Sequence, residues 1–112
     1  MKLIGSRVEN EFRAELEESK RSLLSESKLS LALKSKGHSI DNAYVLNWIP
    51  EQYEDIYLVI IDGSYLVKVE LDRQDSNVTP VFDEIDLSEY KHELSRIKQV
   101  QLMVALDLAK KT

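Results

Sequence analysis

His38 and His92 are the two imidazoles of this 112-residue chain, and imidazole is the side chain most often recruited for proton transfer near neutral pH. Neither stands in a pattern that asks for catalysis. His38 follows Gly37 where a helix should end, a position at which an imidazolium complements the helix dipole. His92 shares the polar side of a helical stretch with Glu89 and Arg96, which reads as solvated surface. Serines are plentiful, yet none is framed by a Gly-x-Ser-x-Gly elbow. Cysteine is absent, which removes thiol nucleophiles, disulfides and Cys-containing zinc sites together. The Glu-x-Lys triplet of metal-dependent nucleases occurs at Glu26-Ser27-Lys28 and Glu89-Tyr90-Lys91, but in helical context, and the β-type run holds it reversed as Lys68-Val69-Glu70. Asp72-Arg73-Gln74-Asp75 lacks the alternating oxygen ligands, central Gly and closing Glu of a calcium loop. Gly5, Gly37 and Gly63 are the three glycines, too few and too scattered for a phosphate-binding loop. The expectation is a protein without catalytic activity, bound metal or cofactor.

Charge is the more informative chemistry. Between Asp41 and Glu89 there are twelve acids against two bases, Lys68 and Arg73, a net of −10. The flanks are basic: residues 1–40 carry eight bases and six acids, residues 91–112 five bases and two acids, and the whole chain is −5. Like-signed charge gathered in this way attracts a basic partner and speeds encounter. Nucleic acid needs the opposite field; Lys20, Arg21, Lys28, Lys34 and Lys36 form at most a small basic patch of the kind that helix C-termini attract in any case. No nucleic-acid partner is expected.

Within the acidic segment, Tyr44-Val45-Leu46-Asn47-Trp48-Ile49-Pro50-Glu51-Gln52-Tyr53-Glu54-Asp55-Ile56-Tyr57 interleaves the sole Trp and three of the five Tyr with three acids. Trp and Tyr are the side chains most enriched at interface hot spots. The expected partner-binding residues are therefore Trp48, Tyr53 and Tyr57, one of which is the apolar anchor, and Glu51, Glu54 and Asp55 as the steering charge, with Glu70 and Asp72 extending the acidic surface. The partner expected is a basic protein.

Asn47-Trp48-Ile49-Pro50-Glu51-Gln52, Glu54-Asp55-Ile56-Tyr57 and the closing Val104-Ala105-Leu106-Asp107-Leu108-Ala109 resemble small proteins of Gram-positive bacteria associated with immunity in polymorphic toxin systems. That resemblance implies a cytoplasmic, non-catalytic protein that binds and blocks a cognate toxin, often a basic nuclease. The alternative, from a different class, is a structural or regulatory homodimer joined through Val100 to Leu108.

The elements that would position these residues can be read from periodicity. Ser6-Arg7-Val8-Glu9 is a capping-box start, followed by an amphipathic stripe of Val8, Phe12, Leu16 and Leu23. Serine density predicts a break near Ser25 and a second helix over Leu29, Leu31, Ala32 and Leu33, ended by Gly37. Ala43 to Ile49 is the first strand, stopped by Pro50. Ile56 to Ile61 and Ser64 to Leu71 flank Asp62-Gly63, a tight-hairpin signal, and a two-residue loop would set Ile60 opposite Tyr65, Leu58 opposite Val67 and Ile56 opposite Val69. Pro80 to Ile85 is an edge strand whose acids discourage aggregation. Asp86-Leu87-Ser88-Glu89, with Ile85 and Tyr90 as a staple, opens a last helix that runs through Leu108; its apolar second half is either a core helix or half of a dimer seam.

The fold class expected is α+β: one domain over residues 1–112, two N-terminal helices, a four-stranded mostly antiparallel sheet, and a C-terminal helix packed on the sheet, the helices sharing one face. Met1 to Gly5 turns polar at Ser6-Arg7, too soon for a signal peptide, and the charge-free run Val100 to Leu106 is far below the roughly 20 residues that span a bilayer. A cytoplasmic protein without a membrane partner is expected.

Overall fold

The computed structural model describes residues 3–25, 27–75 and 77–111. Its elements run α1 (Arg7–Leu24), α2 (Lys28–Ser35), β1 (Ala43–Pro50), β2 (Glu54–Ile61), β3 (Tyr65–Asp72), β4 (Val81–Ile85), α3 (Leu87–Glu93) and α4 (Arg96–Lys110). The strands form one antiparallel meander in the order β1-β2-β3-β4. The α+β class, the two leading helices and the C-terminal helix on the sheet are as the sequence predicts.

The helix boundaries follow from local chemistry. Ser6 accepts from the Glu9 amide while the Glu9 carboxylate accepts from the amides of Ile4, Gly5 and Ser6, so the reciprocal box satisfies the N-cap and N3 donors of the helix start and one buried acid also gathers the two amides that lead into it. Burial pushes the Glu9 carboxyl up, but the Ser6 hydroxyl and the three amides outweigh it and hold the group below its ordinary value. Ser25 closes α1 and Ser27 caps α2, with Gly37 at a φ of 86° after the second helix.

Three expectations are corrected. The helices cover both faces of the sheet: Val59, Ile61, Val67 and Val69 pack with Leu29, Ala32 and Leu33 of α2, while Ile60 and Leu66 pack with Leu102, Val104, Ala105 and Leu108 of α4. Residues of opposite parity on β2 and β3 are apolar alike, so both faces need cover. α1 lies along β1 and serves both clusters, Leu23 in the first and Leu16 in the second.

The hairpin register is shifted by one from that expected. Asp62 and Gly63 both have positive φ, 54° and 67°, and the Ser64 amide donates to the Ile61 carbonyl at 3.2 Å. Ser64, however, belongs to the loop, so Ile61 pairs with Tyr65, Val59 with Val67 and Tyr57 with Val69. A one-residue slip exchanges partners across the ladder.

The last helix is two. Leu94 is extended (ψ 142°) and Ser95 caps α4 by accepting from the Lys98 amide. The apolar second half of α4 lies in the core, with Leu102, Val104, Ala105 and Leu108 all buried.

Candidate functional site: the β1–β2 hairpin tip

The site begins with an irregularity in β1. Val45 pairs with Val59 and Asn47 with Leu58, leaving Leu46 as an extra residue in a β-bulge. Without it, Trp48 would share the parity of Tyr44 and Leu46, which pack on the α4 side. The bulge turns Trp48 to the opposite face, opposite Tyr57. Re-aiming a side chain is a common consequence of such an insertion.

The base of the hairpin is fastened on its outer edge. The Ser19 hydroxyl of α1 accepts from the Val45 amide at 3.1 Å, and the buried Gln101 amide donates to the Leu46 carbonyl at 2.9 Å. Edge groups that would template another chain are thereby closed on this half of β1. From Asn47 to Pro50 the strand is exposed.

On the exposed half, Trp48 and Tyr57 lie nearly parallel, their centroids 6.2 Å apart and their planes at 8°. The indole Nε1 donates to Asp55 Oδ1 at 3.0 Å, and Arg73 Nη2 donates to the same oxygen at 2.6 Å. Arg73, with weaker help from Trp48 and against the effect of burial, holds the Asp55 carboxyl below its ordinary value. Burial and then the Asp55 charge push the Tyr57 phenol up, with Arg73 opposing. Trp48 is thus fixed in orientation while 56% exposed. Beside it, a 280 Å3 hollow is lined by Trp48, Tyr57 and Val45 of the sheet, with Leu23 and Leu29 below and Ser19, Ser22 and Ser27 at the rim.

The turn completes the tip. The Glu51 amide donates to the Glu54 carbonyl at 2.8 Å, and the Arg73 amide to the Tyr53 carbonyl at 2.9 Å. Tyr53 is 60% exposed, and Ile49 is exposed on the other side of the hairpin from Trp48. Among the described residues neither Glu51 nor Glu54 has an ion-pair partner.

The eight expected binding residues are therefore divided. Trp48, Asp55 and Tyr57 converge, and Glu51 and Tyr53 sit at the turn. Asp55 is a fastening rather than a free steering charge, since Arg73 neutralises it and its side chain is only 19% exposed. Glu54 pairs with Asp72 on the face opposite Tyr57. Asp72 Oδ1 accepts from the Gln74 and Asp75 amides, shaping the following turn. Glu70, also on that opposite face, lies 3.7 Å from Lys68 Nζ. The residue that sequence reasoning missed is Arg73. Its signal was its isolation as one of two bases in the −10 segment.

The His positions are separate from this site. His38 rests against the Tyr65 ring at 4.9 Å, and His92 belongs to α3. Among the described residues no three metal-ligating side chains cluster, and no helix is long and apolar enough to cross a membrane; Glu26 of the first Glu-x-Lys triplet lies outside the described residues. No known protein family, curated protein or solved structure matches this chain.

Proposed function

We propose that this protein is a non-catalytic binding module that grips a basic protein partner with the tip of its β1–β2 hairpin. The observation that carries the proposal is the exposed Trp48, locked by Asp55 and stacked on Tyr57. An aromatic anchor already held in one orientation loses little freedom on binding, so more of its contact energy appears as affinity. Glu51 and Glu54 supply an uncompensated field for encounter with a basic surface. In its sharpest form the reading is an immunity-type protein that blocks a basic toxin, and the charge and the exposed anchor support it.

The test is association kinetics at two ionic strengths against the partner recovered with the tagged protein from its own cells. Glu51→Gln with Glu54→Gln should slow association and flatten its salt dependence, while Trp48→Ala should hasten dissociation by about 2 kcal/mol or more. Unchanged association and dissociation in both variants would remove the hairpin tip from the interface.

A further inference from the structure

The first and last helices, α1 and α4, pack together, which places Arg13, Lys20 and Arg21 of α1 near Lys111. Between them and the start of β1 lies a 530 Å3 cleft lined by Arg13, Lys20, Arg21 and Lys111, with Glu17 as a carboxylate, over Tyr44 and Leu108. It sits at the opposite end of β1 from the hairpin tip.

Three of the cations are held in place. Asp107 Oδ2 lies 2.9 Å from Arg13 Nη2 and 3.2 Å from Lys111 Nζ, and Glu18 holds Arg21 at 2.6 Å. Arg13 and then Lys111 lower the Asp107 carboxyl, so it stays ionised and keeps both cations beside the cleft. Lys20 differs: its ammonium stands 5.6 Å from the Tyr44 ring centroid and has no carboxylate partner among the described residues. With Glu17, Glu18 and Asp107 all counted, the four cations leave the cleft net positive in a protein of charge −5. Tyr44 adds an independent observation. It is 2% exposed, and its hydroxyl has no hydrogen-bond partner among the described residues. Asn42 Oδ1 is the buried side-chain polar atom without a partner among the described residues, so the Tyr44 hydroxyl reaches solvent although its ring is buried. A donor open to the cleft and without a protein acceptor, beside a Lys20 ammonium that lacks a carboxylate partner, is suited to an anion.

We infer that this cleft binds a small phosphate monoester with an apolar or aromatic body. The phosphate takes hydrogen bonds from Lys20, the Arg13 guanidinium and the Tyr44 hydroxyl, since guanidinium and ammonium together match a dianion. The organic body covers Leu24, which lines the cleft and is 49% exposed.

Phenyl phosphate and inorganic phosphate, each titrated into the full chain and followed by amide NMR shifts and calorimetry, test the inference. Phenyl phosphate should bind saturably, shift Arg13, Lys20, Tyr44 and Lys111, and bind about tenfold more tightly than inorganic phosphate, the difference expected from burying a few CH groups. Lys20→Gln and Tyr44→Phe, which keep the helix surface and the ring, should each weaken phenyl phosphate about tenfold with an unchanged melting temperature, as loss of a hydrogen bond to a charged group predicts. No saturable shift at these residues, or undiminished affinity in both folded variants, overturns the site. Equal affinity for the two phosphates overturns the organic body.

Discussion

Gln101, midway along α4, donates its side-chain amide to the Leu46 carbonyl at 2.9 Å, so the core helix holds the residue at which β1 changes the face it presents. The bulge exposes a carbonyl that no neighbouring strand can satisfy, and an apolar side chain at 101 would leave it buried and unpaired. Gln101→Leu should cost about 1–3 kcal/mol, the penalty of an orphaned acceptor. Urea unfolding reads the loss, and the emission of the single Trp should shift in the folded variant because the bulge no longer fixes Trp48.

Asp55→Asn keeps the shape of the side chain and removes the charge that Arg73 and Trp48 share. The pair is partly exposed, so the expected loss of stability is about 1 kcal/mol. A larger relative change should appear in Trp48 fluorescence anisotropy, which reports the freedom of the indole. Unaltered anisotropy would show that stacking on Tyr57 is sufficient to hold the ring.

Acid should unfold the protein partly through Glu9, Asp55 and Asp107, each lowered in the folded chain. Between the folded and unfolded values the unfolded chain binds the additional proton, so stability rises with pH across that interval. The contribution is complete above the ordinary carboxylate range, about pH 4–5, and is lost as pH falls through the folded values. Urea midpoints measured downward from about pH 6 should fall, and the slope should be shallower in Asp55→Asn combined with Asp107→Asn.

Gly63 combines a φ of 67° with a position where a Cβ would lie 3.1 Å from the Ala109 Cβ of α4. Gly63→Val should destabilise by about 1–3 kcal/mol through backbone strain, with a further cost from the helix contact. Gly63→Ala with Ala109→Gly relieves the contact alone, so the strain should persist in its unfolding curve.

The sequence carries the elements through signals that act over a few residues: the Ser6/Glu9 box, Gly37, Asp62-Gly63 and the Asp86 cap. It does not carry relations that depend on register. Ser64 is polar enough to open a strand or close a loop, and only pairing decides between them. Ser95 interrupts an apolar stripe that Leu94 and Ile97 otherwise continue, so the stripe concealed the cap. The bulge at Leu46 has no local mark, and without it the pairing of Trp48 with Tyr57 cannot be deduced. Asp55 and Arg73 are 18 residues apart in the chain and meet only once β2 and β3 are aligned.

Ser19 and Gln101 grip β1 at its midpoint, which gives the outer edge of the strand a fastened root and, beyond it, a free end held only through its pairing with β2. Sequence change beyond the root acts on few core contacts, because Trp48, Ile49 and Tyr53 stand outside both apolar clusters. The free end can therefore be rewritten, residue by residue, to suit a different shape while the root continues to specify where that shape is held. Stability of the fold and the side chains displayed at the tip are therefore separable along the length of a single strand.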